Sequence, residues 1–450
     1  MLNNQSSGKR STFFITYFLF PAYRQAGLFL ILLSSCSIQK QIAQSAKTDV
    51  LETKALQAAH VGISIFDPST NKYLYNYQGD KYFVPASNTK IPTCYAAMKY
   101  LGDSLVGLKY NLTKEGVILF EGTGDPTFLN AEYKSQPVFE FLKQGIFFSI
   151  GTSGLFPIEP LGSGWSWNDY EEAYMAQRSS LPIYGNIMRI KWLKNDSVIV
   201  EPSFFRENIH WVGHPSNQGF DLKKSWDDNN VILNPGKTKY KELPFRPDSE
   251  TVTGLLGDTL EKKILYNPNN EQINLSKIIH SQPTDSLLKP MMHRSDNFFA
   301  EQSLLMVSNE LLGVMNDEKI IDTLLKTDFK DLPQKPRWAD GSGLSRYNLF
   351  TPQDFVAILN KMKNEFGMER IKVILPTGGE GTISSYYKAD SGYIYGKTGT
   401  LSGVVAFSGF LYTKKGKLLI FSTLVNNHQA SATEVRRAIE KFLQGLRQSY

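Results

Sequence analysis

Cysteine is almost absent from this sequence, since only Cys36 and Cys94 occur among its 450 residues. This scarcity excludes the class of small, disulfide-rich exported domains, so an exported chain of this kind needs a large apolar core instead. The 28 Phe and 22 Tyr residues are enough to fill such a core. Glycine and proline, at 34 and 21 residues, are too few for a collagen-like or low-complexity chain. The length predicts two or three domains.

A strong charge of one sign is also lacking. The formal net charge is +6, but Lys9, Arg10 and Arg24 lie in the first 36 residues, which contain no acid. The rest of the chain therefore carries a net charge of only +3. A chain of this size with so little positive charge has no electrostatic footprint for nucleic acid, and we predict no nucleic-acid partner. Apolar residues at 41% and charged residues at 20% exclude a wholly disordered chain.

No apolar run near the N-terminus is long enough for a membrane-spanning helix, which needs roughly 20 residues. The run from residue 27 to residue 33 follows basic residues and precedes two serines, as in an export signal. The stretch Leu33-Ser34-Ser35-Cys36 resembles the lipobox of bacterial lipoproteins, which implies cleavage before Cys36 and lipid on its thiol. We predict a signal peptide over residues 1–36 and an exported, periplasmic protein that Cys36 anchors to a membrane. The alternative is a weakly hydrophobic leader.

Downstream of the leader the sequence divides into three kinds of segment. Residues 37–57 are polar and predict a tether. Residues 58–104 and 278–450 carry clear helix and strand patterns and predict one domain. Between them, residues 105–277 alternate short β-like runs with turns rich in Gly, Ser and Asn, which predicts a largely β inserted domain.

The patterned segments predict an α/β fold. Two β-rich runs flank the turn Asp67–Lys72 as in a hairpin, and apolar residues recur at helical spacing over residues 88–101. The last helix is predicted to begin at Ser431, with Glu434 completing a capping box. Before it, three consecutive antiparallel strands are predicted over residues 393–400, 404–412 and 417–425. We therefore predict an antiparallel sheet with helices on both faces, interrupted by the insert.

A serine followed three residues later by a lysine occurs six times, so this pattern alone is weak. Only Ser87 stands where a hairpin ends and a long helix begins, which places Lys90 on the same helical face. A helix N-terminus favours developing negative charge, and a neutral lysine can take the proton of the serine. Burial or a second cation would lower the pKa of Lys90 enough for that role. The alternative is an ordinary helix cap followed by a surface lysine.

Two further motifs lie on suitable elements. Ser295-Asp296-Asn297 opens a predicted apolar helix, although all three residue types are also common helix caps. Lys397-Thr398-Gly399-Thr400 lies on a predicted strand, and its alternative interpretation is a strand with an exposed lysine. With Ser87 and Lys90 they form, in order, the Ser-x-x-Lys, Ser-Asp-Asn and Lys-Thr-Gly set of penicillin-binding proteins and class A β-lactamases.

From about residue 58 to its end, the chain resembles the D-alanyl-D-alanine carboxypeptidase/endopeptidase family of low-molecular-mass penicillin-binding proteins. That family carries its inserted domains between the first two motifs, whereas class A β-lactamases have no comparable insertion. The resemblance implies the penicillin-binding/β-lactamase-like transpeptidase fold. It rests on the three motifs and on further matching stretches: Pro85-Ala86-Ser87-Asn88-Thr89-Lys90, Gly122-Thr123-Gly124-Asp125-Pro126-Thr127, Asp340-Gly341-Ser342-Gly343-Leu344-Ser345-Arg346, Gly379-Glu380-Gly381-Thr382 and Gly396 to Gly403.

The resemblance implies a role for each site residue. Ser87 attacks the carbonyl of the penultimate D-Ala and Lys90 takes its proton. Ser295 relays a proton to the leaving amine, and Asn297 holds the substrate amide. The remaining assignments belong to the third motif: Lys397 as the positive charge that keeps Lys90 neutral and attracts the substrate carboxylate, Thr398 and Thr400 as carboxylate ligands, and Gly399 as the position where the substrate backbone approaches.

The resemblance also implies the partners. The substrates are peptidoglycan stem peptides ending in D-Ala-D-Ala, and β-lactams are covalent inhibitors because they mimic that end. No cofactor or metal is expected, since His210 and His214 lack an evident third ligand. A β-lactamase and a catalytically silent peptidoglycan-binding lipoprotein stay open as alternatives. The balance between carboxypeptidase and endopeptidase activity also stays open.

Overall fold

The computed structural model describes residues 38–145, 147–151, 158–193, 197–214, 217–267 and 275–450. The predicted signal peptide, residues 1–36, and its Cys36 lie outside these residues. The helices in the described part are α1 (residues 38–46), α2 (Lys90–Tyr100), α3 (Pro137–Gln144), α4 (Ser249–Leu260), α5 (Thr284–His293), α6 (Asn297–Leu312), α7 (Asp317–Lys326), α8 (Pro352–Ile374) and α9 (Ala432–Ser449). None of these helices is long and apolar enough to cross a membrane.

The strands of the described chain belong to four sheets. They are β1 (His60–Asp67), β2 (Lys72–Tyr77), β3 (Ser104–Leu112), β4 (Val117–Gly122), β5 (Phe147–Gly151), β6 (Ile187–Leu193), β7 (Ser197–Glu201), β8 (Ile209–Trp211), β9 (Phe220–Lys224), β10 (Val231–Pro235), β11 (Tyr240–Pro244), β12 (Ile264–Asn267), β13 (Lys277–Pro283), β14 (Ile394–Leu401), β15 (Val404–Tyr412) and β16 (Leu418–Asn426).

The main sheet has five antiparallel strands in the order β14-β15-β16-β1-β2. The predicted hairpin β1–β2 and the three predicted C-terminal strands are confirmed. Pairing of β1 with β16 joins the two ends of the domain, with Ile63 opposite Thr423. β14 lies at one edge of this sheet and carries the third motif along that edge.

Helices cover both faces of the main sheet, as predicted. On one face, Ile91 of α2 and Phe355 of α8 belong to a buried cluster with Phe410 and Ile420 of the sheet. On the other face, α9 buries its apolar stripe, which includes Val435, against the sheet. Ser431 and Glu434 make the predicted capping box at the start of α9. The packing of α2 on one face of the sheet therefore fixes the position of α2 relative to the edge strand β14.

The tether predicted for residues 37–57 is wrong for its described part. α1 continues into a π-helical turn, Lys47–Leu51, and its residues Ile42, Ala46 and Val50 are buried in the cluster that contains the stripe of α9. The Lys441 ammonium of α9 lies 2.9 Å from a carboxylate oxygen of Asp49. Ile42, Ala46 and Val50 recur at every fourth position and therefore lie on one side of the helix, the side that faces the domain.

A largely β unit lies in the chain between β3 and β13. β3 and β13 pair with each other, so the chain enters and leaves this unit side by side. Its sheets have the orders β12-β5-β4-β3-β13, β11-β6-β7 and β8-β10-β9, and α3 and α4 accompany them. Phe120, Phe205 and Phe245 belong to its own buried core. The unit therefore has a hydrophobic core distinct from those of the main sheet.

Candidate active site

Ser87 lies in a 3₁₀ turn, Ala86–Thr89, that leads directly into α2. Ala86 adopts a left-handed backbone conformation with φ of 48°, and Ser87 is partly exposed. Gly343 lies against this turn with φ of 85°, and a Cβ there would fall 1.9 Å from the carbonyl oxygen of Ala86. A side chain at Gly343 has no room, so this glycine lets the loop after residue 340 support the nucleophile.

Lys90 is fully buried, and its amine reaches three oxygen atoms. Lys90 Nζ lies 3.1 Å from Ser87 Oγ, 2.6 Å from Asn297 Oδ1 and 2.7 Å from the carbonyl oxygen of Ser342. A neutral amine has two N–H groups and one lone pair. The two carbonyl oxygens can accept both N–H groups, which leaves the lone pair for the hydroxyl proton of Ser87.

The burial of Lys90 changes its acid–base behaviour. Loss of hydration lowers the pKa of Lys90 to about 8, against the opposing effect of carboxylates at Asp340, Glu301 and Asp296. An appreciable fraction of the amine is therefore neutral near neutral pH. This is the state that a general base requires.

The second motif sits at the start of α6. Asp296 is the N-cap, and its carboxylate accepts a hydrogen bond from the Phe299 N–H at 2.9 Å. Ser295 has φ of 65°, which turns the chain just before the helix. Asn297 accepts from Lys90, and its Nδ2 donates to the carbonyl oxygen of Tyr174 at 3.2 Å. Asp296 has the capping role that its residue type predicts, while Ser295 and Asn297 face the two lysines.

Lys397 on β14 is fully buried, so the alternative of an exposed lysine is wrong. Its Nζ donates to Ser295 Oγ at 2.9 Å and to the carbonyl oxygen of Thr398 at 2.6 Å. Burial lowers the pKa of Lys397 well below its usual value, and the positive charges of Lys90 and Arg436 lower it further. Ser295 therefore connects Lys397 to the motif that also contacts Lys90.

The other residues of the third motif follow along β14. Thr398 Oγ1 donates to Thr382 Oγ1 at 2.7 Å, and Thr400 Oγ1 accepts from Arg436 Nη2 at 2.5 Å. A Cβ at Gly399 would lie 2.6 Å from the carbonyl oxygen of Pro85. The turn that carries Ser87 therefore approaches Gly399 closely, and the approach of the substrate backbone to Gly399 stays a prediction. The three predicted motifs converge on one site.

The match to known families follows this geometry. The sequence pattern of the D-Ala-D-Ala carboxypeptidase 3 (S13) family matches residues 43–203 and 253–446. The chain belongs to this family. D-alanyl-D-alanine carboxypeptidase DacB of Haemophilus influenzae is 25% identical over 428 residues, covering 85% of this chain and 89% of that protein. D-alanyl-D-alanine carboxypeptidase of Actinomadura sp. is 25% identical over 450 residues, covering 85% of this chain and 80% of that protein.

A solved structure supports the fold. The crystal structure of penicillin binding protein 4 from Haemophilus influenzae superposes with a TM-score of 0.70, at 22% identity, over 90% of this chain and 98% of that one. The predicted fold class is confirmed. Membership of the S13 family and the two carboxypeptidase relatives also confirm the predicted enzyme class, a serine peptidase of the D-Ala-D-Ala carboxypeptidase type.

Three charged residues for which we predicted no role lie around the loop that holds the amine of Lys90. Glu301 of α6 accepts a hydrogen bond from the Ser342 N–H at 2.7 Å, and Arg178 lies 3.4 Å from Glu301. Asp340 accepts from the N–H groups of Gly343 and Ser345 at 2.8 and 2.7 Å. A signal existed for Glu301, because it stands in an apolar stretch of α6 where an unpaired charge is costly.

Proposed function

We propose that this protein cleaves the terminal D-Ala-D-Ala bond of peptidoglycan stem peptides through an acyl-enzyme on Ser87 and that β-lactams inhibit it. The observation that carries the proposal is the contact of 3.1 Å between Lys90 Nζ and Ser87 Oγ at the entry to α2. A buried amine beside a serine hydroxyl is the arrangement that nucleophilic catalysis needs. The supporting pKa of about 8 makes Lys90 available as the base.

Acylation begins when Ser87 Oγ attacks the carbonyl carbon of the penultimate D-Ala. Lys90 Nζ takes the hydroxyl proton, while Asn297 and the Ser342 carbonyl hold the amine in place. The backbone N–H groups of Ser87 and Thr400 stabilise the oxyanion, and one such donor is typically worth about 3 kcal/mol. Gly399 supports this assignment, because it keeps β14 close to the turn of Ser87.

The leaving amine receives its proton through Ser295, whose hydroxyl oxygen lies 2.9 Å from Lys397 Nζ. The described charges that act on Lys397 are both positive, so an incoming carboxylate supplies the missing anion. Lys397 and Thr398 are its proposed ligands, and Thr400 contributes through its contact with Arg436. Asn297 keeps a second N–H on Nδ2 for the substrate amide.

Water then hydrolyses the ester on Ser87. A carboxypeptidase releases D-Ala, whereas an endopeptidase releases a second stem peptide, and the same acyl-enzyme serves both reactions. Penicillin binding protein 4 of Haemophilus influenzae, whose fold this chain shares, has been crystallised with a β-lactam. This supports β-lactam acylation as the proposed mode of inhibition here.

We also propose that the protein is exported and that lipid on Cys36 anchors it to a membrane. Support comes from the lipobox-like stretch ending at Cys36 and from the cell-wall substrate that the family name indicates. The second cysteine is not a competing lipid site, because Cys94 is fully buried in α2.

Penicillin tests the catalytic assignment. A β-lactam presents a strained amide to the same nucleophile, and its tethered leaving group then blocks deacylation. Intact-mass spectrometry should show one added drug mass, which peptide mapping should place on Ser87. Ser87→Ala should abolish the adduct, whereas Ser69→Ala, at another Ser-x-x-Lys match, should keep it. The wild-type protein should also release D-alanine from a D-Ala-D-Ala peptide until penicillin is added.

The other outcomes of this experiment contradict the proposal. An adduct on another serine would show that Ser87 is not the nucleophile. Rapid drug hydrolysis without an adduct would favour a β-lactamase. Neither adduct nor hydrolysis would favour a silent peptidoglycan-binding module.

A further inference from the structure

One arginine of the inserted unit reaches into the domain of the main sheet. Arg178 is buried, and its guanidinium makes contacts on several sides. Nη1 lies 2.6 Å from Asp317 of α7 and 3.4 Å from Glu301 of α6. Nε and Nη2 donate to the carbonyl oxygens of Glu159 and Leu161 at 3.0 and 3.1 Å. The segment of the insert that holds Arg178 is therefore tied to both helices.

Glu301 connects this arginine to the proposed base. One carboxylate oxygen of Glu301 faces Arg178, and the other accepts the Ser342 N–H at 2.7 Å. The carbonyl oxygen of Ser342 accepts from Lys90 Nζ at 2.7 Å. Arg178, Glu301, Ser342 and Lys90 thus form one continuous chain of contacts. All four residues are buried, so water does not screen these interactions strongly.

A second contact from the insert reaches the same loop. Trp165 Nε1 donates to Asp340 Oδ2 at 2.9 Å, and the guanidinium of Arg178 lies 5.8 Å from the centre of the Trp165 ring. Asp340 also accepts from Gly343, the residue that contacts the turn of Ser87. The insert therefore holds this loop through both Trp165 and Arg178.

We propose that Arg178 is a positioning residue for Lys90, acting by holding Glu301 where its carboxylate fixes Ser342 and the amine of the base. This inference rests on the proposed function, in which Lys90 is the base. It assigns the insert a part in the chemistry itself, since the insert contributes a charge that acts on the proton acceptor of a different domain.

The charges around Lys90 give this chain a pH signature. Burial and the neighbouring charge of Asp340 together raise the pKa of Glu301 to about 7, against the opposing effect of Arg178. The carboxylate of Glu301 in turn favours the ammonium form of Lys90. Removing Arg178 raises the pKa of Glu301 further and so neutralises its carboxylate. Like removal of the Glu301 charge itself, this favours the neutral amine of Lys90. The charged groups facing this chain from the surrounding elements are Asp296, Asp317, Asp340 and Lys397.

The experiment follows acylation by a fluorescent penicillin across neutral and alkaline pH in full-length variants. Acylation should rise with pH as Lys90 loses its proton. Arg178→Gln and Glu301→Gln should both move the midpoint of this rise to lower pH, by about one pH unit. The double variant should show no shift beyond that of Glu301→Gln alone, because Arg178 acts through Glu301. The midpoint does not depend on the fraction of active protein, so partial misfolding does not mimic these shifts.

Two further variants complete the test. Arg178→Lys keeps the charge and should keep the wild-type midpoint. Arg189→Gln breaks the ion pair of 3.0 Å between Arg189 and Glu242 of the insert and should also leave the midpoint unchanged. Lower rates with unshifted midpoints in both Arg178→Gln and Glu301→Gln would overturn the inference. Failure of the proposed function looks different, because wild-type Ser87 would then form no adduct at any pH.

Discussion

At the scale of single residues, surroundings distinguish two lysines that the sequence presents alike. Both lysines are fully buried. Three carboxylates raise the pKa of Lys90, whereas the described charges that act on Lys397 are the positive charges of Lys90 and Arg436, which lower its pKa. The environment of Lys90 lets it gain and lose a proton near neutral pH. No carboxylate among the described residues offsets the charges that act on Lys397. We therefore infer that the substrate carboxylate restores the positive charge of Lys397 when it binds.

Substitution of the two lysines should separate their roles. Lys90→Ala removes the base and should lower the rate of penicillin acylation by roughly 10²–10⁴-fold. Lys397→Arg keeps a charge but changes the shape of the donor, so acylation should fall less. Stopped-flow fluorescence with a labelled penicillin measures both rates. Lys99→Ala is the matched control, because Lys99 lies on the same helix and pairs with Asp328. Wild-type acylation by Lys90→Ala would mean that the base is misassigned.

At the scale of elements, the site depends on how closely β14 approaches the 3₁₀ turn before α2. A Cβ at Gly399 would lie 2.6 Å from the carbonyl oxygen of Pro85 and 3.0 Å from the backbone nitrogen of Ser87. Backbone atoms cannot move aside as the end of a flexible side chain can. Even one methyl group on β14 must therefore push the strand and the turn apart.

Gly399→Ala should for this reason reduce acylation by at least tenfold, because displacing a reacting group by about 1 Å can cost roughly 100-fold. Gly445→Ala, within helix α9, is the control. A Cβ at Gly445 would lie 3.5 Å from Ser45 Oγ, which is an ordinary van der Waals distance. That change should leave acylation intact and stabilise the protein by about 0.5–1 kcal/mol. Acylation rates and thermal unfolding measure both effects. Unchanged acylation in Gly399→Ala would contradict the close packing of β14 on the turn.

Local patterns predicted much of the fold and the centre of the site. The hairpin β1–β2, the strands β14 to β16, and the cap at Ser431 are each specified by neighbouring residues. The pairing of β1 with β16 was not predicted, because long-range pairing leaves no periodic signal in the sequence. The contact between Arg178 and Glu301 was not predicted either, because it joins residues far apart in the sequence. Arg178 is buried only because the insert packs against α6.

At the scale of the whole molecule, the described N-terminal residues 38–56 belong to the folded domain. α1 packs on α9 through Ile42 and Ala46, and Leu56 is buried in the same cluster. Cys36 lies two positions before the first residue of α1. A lipid on Cys36 would therefore hold the catalytic domain close to the membrane, because the segment that was predicted as a tether is packed against the protein.

The two cysteines make this anchor testable with matched variants. Cells labelled with radioactive palmitate should incorporate label into the wild type and into Cys94→Ala, since the Cys94 thiol is fully buried. Cys36→Ser should lose the label and move from the membrane fraction to the soluble fraction, because it removes the only thiol that the lipobox-like stretch offers. Its penicillin acylation should remain that of the wild type, because Cys36 precedes the catalytic domain. Label retained in Cys36→Ser would rule out this residue as the lipid site.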